Sequence, residues 1–146
     1  MKTFDLEKYG TTYKIELKIA SYMEGNLAVT MTSWENGEPE PWNVLTVNLD
    51  SVRPQNCAFI DTNNNGEEIL AWIIRHGLAV PTDTYARSGY CQYPEYRFRP
   101  ERLQEIDPDG YSAYLHDWKK NTVHKSHCRN NRYIHYHMKE QETEYA

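Results

Sequence analysis

Residues 57–80, with the sequence CAFIDTNNNGEEILAWIIRHGLAV, decide the fold of this chain. A short apolar segment leads through a polar turn into the most strongly apolar helical pattern of the sequence. Leucine and isoleucine side chains recur at helical spacing within it, as they do in an amphipathic helix. We therefore predict a helix over residues 66–76 that ends at Gly77, whose left-handed conformation suits a helix terminus, with Leu78 as the apolar contact after it.

The polar turn at residues 61–66 has two interpretations. It matches the first half of an EF-hand calcium loop, but position twelve is Trp72, where a bidentate glutamate is needed. It also provides good helix-capping residues. We predict that Asn64 or Asn65 caps the helix, with a glutamate three residues later reaching back as in a capping box, and that the turn is structural.

The residues before this stretch alternate between apolar and polar side chains, which predicts strands. The pattern gives three strands, over residues 13–19, 27–34 and 41–49. Asn36 and Gly37 predict a tight hairpin turn, because both residue types tolerate a positive φ angle. An antiparallel meander is the expected arrangement.

After the main helix, two prolines guide the prediction. Pro100 is at the first position of a predicted short helix, where proline is favoured, and Pro94 places an extended, aromatic segment near the edge of a sheet. The predictions are a loop over residues 81–89, a strand over 90–98, a helix over 100–106, a turn over 107–110 and a second amphipathic helix over 111–120.

Together these elements predict an α+β fold. We expect an antiparallel β-sheet of three to five strands, with one main helix packed on one face and a second, shorter C-terminal helix. The length of 146 residues corresponds to one domain, over residues 1–120. Residues 121–146 form a basic, histidine-rich C-terminal arm.

The cysteines and the apolar segments indicate a compartment. Cys57, Cys91 and Cys128 are odd in number and widely spaced, which argues against a disulfide framework and for a reducing environment. The first residues lack a signal-peptide pattern, and no apolar run reaches membrane-spanning length. We predict a cytoplasmic protein that does not associate with membranes.

Charge is distributed unevenly along the chain. The net charge is −5, yet no acidic residue lies between Asp117 and Glu140, where the cations cluster. Six cations, among them Lys139, could contact phosphates, and interleaved tyrosines could stack on bases, so the arm is a candidate for binding nucleic acid. The alternative is a solvated cationic tail. The candidate residues are Lys119, Lys120, Lys125, Arg129, Arg132, Tyr133 and Tyr136.

The same arm contains residue types that bind zinc. Imidazole and thiolate are suitable ligands, but the second histidine pair lacks a rigid scaffold, so we expect solvated histidines and no metal. The residues considered are His124, His127, Cys128, His135 and His137 in the arm, with His116 on the preceding helix.

Catalytic signatures are absent from the sequence. It has no P-loop, dinucleotide fingerprint, nucleophile elbow or H-E-x-x-H motif. Cys91 paired with His76 or His116 would resemble a thiol–imidazole site, but no nucleophile motif surrounds that cysteine. We predict that the protein is not an enzyme, with no catalytic residues and no cofactor.

Three stretches carry a family resemblance: AFIDTNNNGEEILAWIIRHGLAVPT, SGYCQYPEYRF and PERLQEIDPDGYSAYL. Over residues 58–115 they resemble a family of small proteins of unknown function carried on mobile genetic elements of gut bacteria. The loop at residues 82–87 has fewer glycines than that pattern, and the tail beyond Lys119 lies outside it. The resemblance transfers no catalytic residue. It implies a context in which small proteins disarm host defences by binding a nuclease or its guide complex.

Two surfaces are candidates for binding such a partner. Tyrosine and arginine dominate binding hot spots, and they alternate along the segment after the predicted loop. The alternative interpretation is that the tyrosines pack on the sheet while the arginines face water. Acidic side chains near the hairpin turn would compete for a basic nucleic-acid groove. The candidates are Glu35, Glu38 and Glu40 in the acidic patch and Arg87, Tyr90, Tyr93, Tyr96, Arg97 and Arg99 in the tyrosine–arginine segment.

We therefore predict a non-catalytic binding protein of a mobile genetic element. Its expected activity is inhibition of a bacterial nuclease-based defence system, of the anti-CRISPR or anti-restriction type, by protein–protein binding. The expected partner is a bacterial protein or protein–RNA complex. The alternative is a nucleic-acid-binding accessory factor that uses the basic C-terminal arm.

Overall fold

The computed structural model describes residues 1–49 and 51–130, with side chains described through residue 121. Within these residues the chain forms two four-stranded sheets and four helices around a shared core. All strand pairs are antiparallel. The predicted α+β class with antiparallel sheets is therefore confirmed.

The first sheet is a meander in chain order. Asn36 and Gly37 form its last turn with φ angles of 53° and 78°, so the predicted hairpin turn is confirmed. The first strand was not predicted, although Phe4 and Leu6 alternate with charged residues along it and are buried. The strands are β1 (Phe4–Lys8), β2 (Thr11–Ser21), β3 (Leu27–Glu35) and β4 (Glu38–Pro41).

The second sheet has a crossed order, β5-β6-β8-β7, so its sequence neighbours are not all spatial neighbours. Strand β8 is central and pairs with β6 on one side and β7 on the other. The strands are β5 (Thr46–Val47), β6 (Cys57–Ile60), β7 (Ala79–Ser88) and β8 (Cys91–Phe98).

The single strand predicted over residues 41–49 is wrong, because this segment passes from one sheet to the other. The Leu45 N–H donates to the Val29 carbonyl of the first sheet, at 2.9 Å. The Leu45 carbonyl accepts from Asp61 N–H after β6, also at 2.9 Å. Leu45 is fully buried between these partners. The segment does alternate between apolar and polar residues, but its backbone hydrogen bonds change from the first sheet to the second at Leu45.

The loop predicted over residues 81–89 is also wrong. This segment forms most of β7, which pairs with β8 except at a bulge between Pro81 and Tyr85. Pro94 lies in a central strand rather than an edge strand. Pairing of β8 with β6 nevertheless ends at Glu95, so at Pro94 only β7 lies alongside. The proline therefore occupies a local edge, where its missing N–H breaks no ladder bond to β6.

The predicted cap of the main helix is wrong by a few residues. A short helix, α1 (Thr62–Asn65), comes first, and the Asp61 carboxylate caps it by accepting the Asn64 N–H at 3.0 Å. The main helix, α2 (Ile69–Arg75), then begins without a side-chain cap. Its end is as predicted: Gly77 has φ 62°, and the buried Leu78 donates its N–H to Ile73.

The C-terminal part is more helical than predicted. Helix α3 (Pro100–Ile106) is confirmed, but the turn predicted over residues 107–110 is wrong because α4 (Pro108–Asn130) already begins there. Helix α4 includes the predicted second helix and continues beyond it, so the C-terminal helix is the longer one. Tyr114 and Trp118 are buried against the core.

Candidate functional site

The hairpin between β3 and β4 concentrates negative charge on one face. Glu35 and Glu38 are directly opposite each other, and Glu40 is the next residue on the same face of β4. All three are exposed. Like charges placed opposite each other on a sheet repel, and no ion pair to these three occurs among the described side chains. Glu35, Glu38 and Glu40 are called the acidic hairpin surface below.

An aromatic pair borders the acidic hairpin surface. Trp42 follows Glu40 with the same alternation, and its N–H still bonds to the Met31 carbonyl at 3.1 Å. Its ring lies against that of Tyr13, with centroids 4.7 Å apart, and both residues are half-buried. A rigid, half-exposed aromatic pair beside unpaired carboxylates combines an anchor with electrostatic attraction, as binding surfaces do.

Strand β4 is an edge strand with the sequence EPEP. Pro39 and Pro41 lack the N–H groups that a further strand would need, and charged residues also discourage edge-to-edge pairing. A partner that contacts this edge would therefore meet side chains rather than extend the sheet.

The structure separates the members of the tyrosine–arginine segment. Tyr93 and Tyr96 are only 8% and 7% exposed, whereas Tyr90 is fully exposed at the tip of the β7–β8 hairpin. The pKa of Tyr93 is raised, first by its hydrogen bond with Cys91 and then by burial, and burial raises that of Tyr96. Side chains that point to solvent are those of Arg87, Tyr90, Arg97 and Arg99.

A buried charge pair on the second sheet was missed by the sequence reasoning. Glu95 is 4% exposed and accepts hydrogen bonds from Arg53 Nη1 at 2.7 Å and from the Thr82 hydroxyl at 2.6 Å. The Arg53 guanidinium also lies 4.8 Å from the centroid of the Phe59 ring. Arg53 comes from the chain before β6 and is 42 residues away from Glu95 in sequence, so no local pattern indicates this pair.

The basic arm is described only in part. Lys119 and Lys120 are exposed on α4. Helix α4 includes Lys125 and Arg129, whose side chains lie outside the described residues, as do Arg132, Tyr133 and Tyr136 altogether. Nucleic-acid binding through the arm stays a prediction. The expectation that the histidines beyond residue 121 are solvated and bind no metal also stays a prediction.

The thiol–imidazole pair weighed for Cys91 does not form with His76. His76 packs on the rings of Phe4 and Trp72, with centroid distances of 5.1 and 5.2 Å, and its Nε2 lies 3.3 Å from the Asp5 carbonyl oxygen. Among the side chains described through residue 121, no group of three His, Cys, Asp or Glu is placed to hold a metal ion.

The helices in the described ranges include none that is both long and apolar enough to cross a membrane.

The fold and its surfaces define a two-sheet α+β domain with an acidic hairpin at one edge. The chain belongs to the family described as domain of unknown function DUF4313, whose model matches residues 16–118. The match begins within β2 and ends within α4, so it includes the second sheet and most of the first but not β1, and it extends further than the predicted resemblance. No curated protein matches the chain. No solved structure matches it either.

Proposed function

We propose that this protein is a non-catalytic binding protein of mobile genetic elements that inhibits a bacterial nuclease-based defence system. In this proposal the target is a bacterial protein or protein–RNA complex with a basic, nucleic-acid-binding surface. The acidic hairpin surface occupies that groove and excludes the nucleic acid. The mobile-element context is inferred from the resemblance of residues 58–115 to proteins of that origin.

The observation that carries the proposal is the direct pairing of Glu35 with Glu38, with Glu40 beside them. This arrangement is unfavourable in the protein alone and becomes favourable beside a cationic partner. The half-buried Tyr13–Trp42 pair supplies apolar contact next to it. At the tip of the other hairpin, Tyr90 and Arg87 offer a second anchor.

The experiment compares two charge-matched triple variants. One is Glu35→Gln/Glu38→Gln/Glu40→Gln; the other neutralises Glu7, Glu101 and Asp109, which are exposed elsewhere. Tagged proteins capture partners from nuclease-treated bacterial lysate, and the captured nuclease is then assayed for DNA cleavage. We expect the wild-type protein and the control triple to capture and inhibit it. The hairpin triple should lose about tenfold or more in affinity.

Equal capture and inhibition by the hairpin triple would contradict the proposal. A chain ending at Lys119 distinguishes the alternative function. If the arm carries the activity, this truncation abolishes binding and its salt dependence; if the hairpin carries it, target affinity is retained.

A further inference from the structure

A groove of about 500 Å³ lies where the β7–β8 hairpin meets the start of α2. It is on the second sheet, so it is distinct from the acidic hairpin surface. Its lining combines carboxylates, phenol rings and apolar carbons, and these belong to Glu67, Leu70, Asp83, Tyr85, Pro94 and Tyr96.

The groove forms beside an interruption in the ladder between β7 and β8. Pairing stops at Pro81 opposite Tyr96 and resumes at Tyr85 opposite Pro94. The intervening residues 82–84 therefore bulge out of the sheet beside the groove. Asp83, in the middle of this bulge, has a φ of 67° and an exposed side chain.

The described residues that line the groove include three carboxylates and no cationic side chain. Glu67 and Asp83 make no ion pair and no side-chain hydrogen bond to any other described residue. A third carboxylate, Glu95, also borders the groove but is already paired with Arg53.

Two phenol rings stand beside these carboxylates. Tyr85 is 58% exposed. Tyr96 lies close enough to Tyr85 and Glu67 that both, after burial, contribute to raising its pKa. A ring face next to a carboxylate suits a flat cation, which can stack on the ring while donating hydrogen bonds to the acid.

We propose that this groove binds an arginine side chain presented by an exposed segment of a partner protein. The guanidinium stacks on Tyr85 and donates to Glu67 and Asp83, while the apolar floor from Leu70 and Pro94 contacts the arginine methylenes. Lysine is the weaker ligand, because its ammonium is more strongly hydrated and lacks the planar fork.

In the test, the isotope-labelled full chain is titrated with the peptide acetyl-Gly-Arg-Gly-amide. Binding is measured from the changes in backbone amide chemical shifts. The comparison peptide carries citrulline, which has nearly the same shape but no charge. We expect the arginine peptide to move the amide signals of Asp83, Thr84 and Gln92, with an affinity that falls as salt is added. The citrulline peptide should leave them in place.

Two variants locate the site. Asp83→Asn keeps the backbone, because asparagine tolerates a positive φ, and Glu67→Gln removes the second charge. Each should weaken arginine binding about tenfold, whereas a control double variant, Glu7→Gln/Glu101→Gln, should not change it. Absence of binding, equal binding of citrulline, or equal weakening by the control would overturn the proposal. None of these outcomes bears on the acidic hairpin surface, whose triple variant leaves the groove intact.

Discussion

At the scale of single residues, Asn56 connects the second sheet to α4. Its N–H donates to the Tyr114 hydroxyl at 2.8 Å, and its Oδ1 accepts from the Tyr111 hydroxyl at 3.0 Å. Its carbonyl accepts from Phe98 N–H at 2.8 Å. These bonds require a φ of 70°, a left-handed conformation that asparagine adopts more readily than most residues. One residue thus satisfies buried polar groups on two elements.

Replacing Asn56 separates the backbone requirement from the side-chain bond. Asn56→Ala loses the acceptor for Tyr111 and strains the backbone, so the free energy of unfolding should fall by roughly 2–4 kcal/mol. Asn56→Gly loses the same acceptor but fits the φ angle, and should be more stable than the alanine variant by about 1 kcal/mol. Urea unfolding measures both. An alanine variant as stable as the glycine variant would show that no strain is present.

The local backbone conformation was predictable where it depends only on a glycine or on the two residues of a turn. Gly77 and the Asn36–Gly37 turn were predicted because their conformations depend on their own backbones. Asn56 and the Asp61 cap were not. Asparagine and aspartate tolerate several local conformations, and the choice among them is made by distant partners such as Tyr111 and Tyr114.

At the scale of elements, alternation predicted strands but not their partners. Residues 41–49 alternate as a strand should, yet Leu45 bonds to both sheets. Strand β7 lacks alternation because its bulge shifts the register, so the pairing with β8 could not be inferred locally. The acidic hairpin surface was predicted more fully, because Glu35, Glu38 and Glu40 lie beside a turn that the sequence specifies.

The contact between α4 and β2 depends on a glycine. A Cβ atom at Gly110 would lie within 2.4 Å of the Ile19 carbonyl oxygen and would also collide with the Asp107 carboxylate. That carboxylate accepts hydrogen bonds from the N–H groups of Ile19 and Gly110, at 2.9 and 3.1 Å. The start of α4 is therefore held against β2 at a distance that only glycine permits.

Gly110→Ala should push α4 away from β2 and lower the free energy of unfolding by about 1–3 kcal/mol, because the backbone of β2 cannot move aside freely. Ser112→Ala, on the exposed face of the same helix, is the matched control and should change stability by no more than about 0.5 kcal/mol. Thermal unfolding followed by circular dichroism provides both values. A stable Gly110→Ala variant would mean that α4 has room to shift.

At the scale of the whole molecule, tyrosine serves the interior more than its polarity suggests. The chain has 12 tyrosines. Burial is the largest cause of a raised pKa in four of them, and the hydrogen bond to Cys91 is the largest in Tyr93. The affected residues are Tyr22, Tyr93, Tyr96, Tyr111 and Tyr114. In each of them the folded state favours the neutral phenol. The free energy of unfolding should therefore change with pH in the alkaline range.

Because the folded-state pKa of these phenols is raised, the unfolded chain releases protons first as the pH rises. Above pH ~10 the folded state binds more protons, so the free energy of unfolding falls by about 1.4 kcal/mol per pH unit for each tyrosine kept neutral. Below that pH the contribution is fully present. Urea unfolding at increasing pH should show this decline beginning near the ordinary tyrosine pKa.

Tyr114→Phe tests the origin of the decline. Tyr114 is fully buried, so its removal should make the slope shallower by about 1.4 kcal/mol per pH unit, even though the lost bond to Asn56 lowers stability at neutral pH. Tyr9→Phe is the control, because Tyr9 is 84% exposed and should leave the slope unchanged. If Tyr114→Phe keeps the wild-type slope, the buried phenol of Tyr114 does not contribute to the alkaline decline.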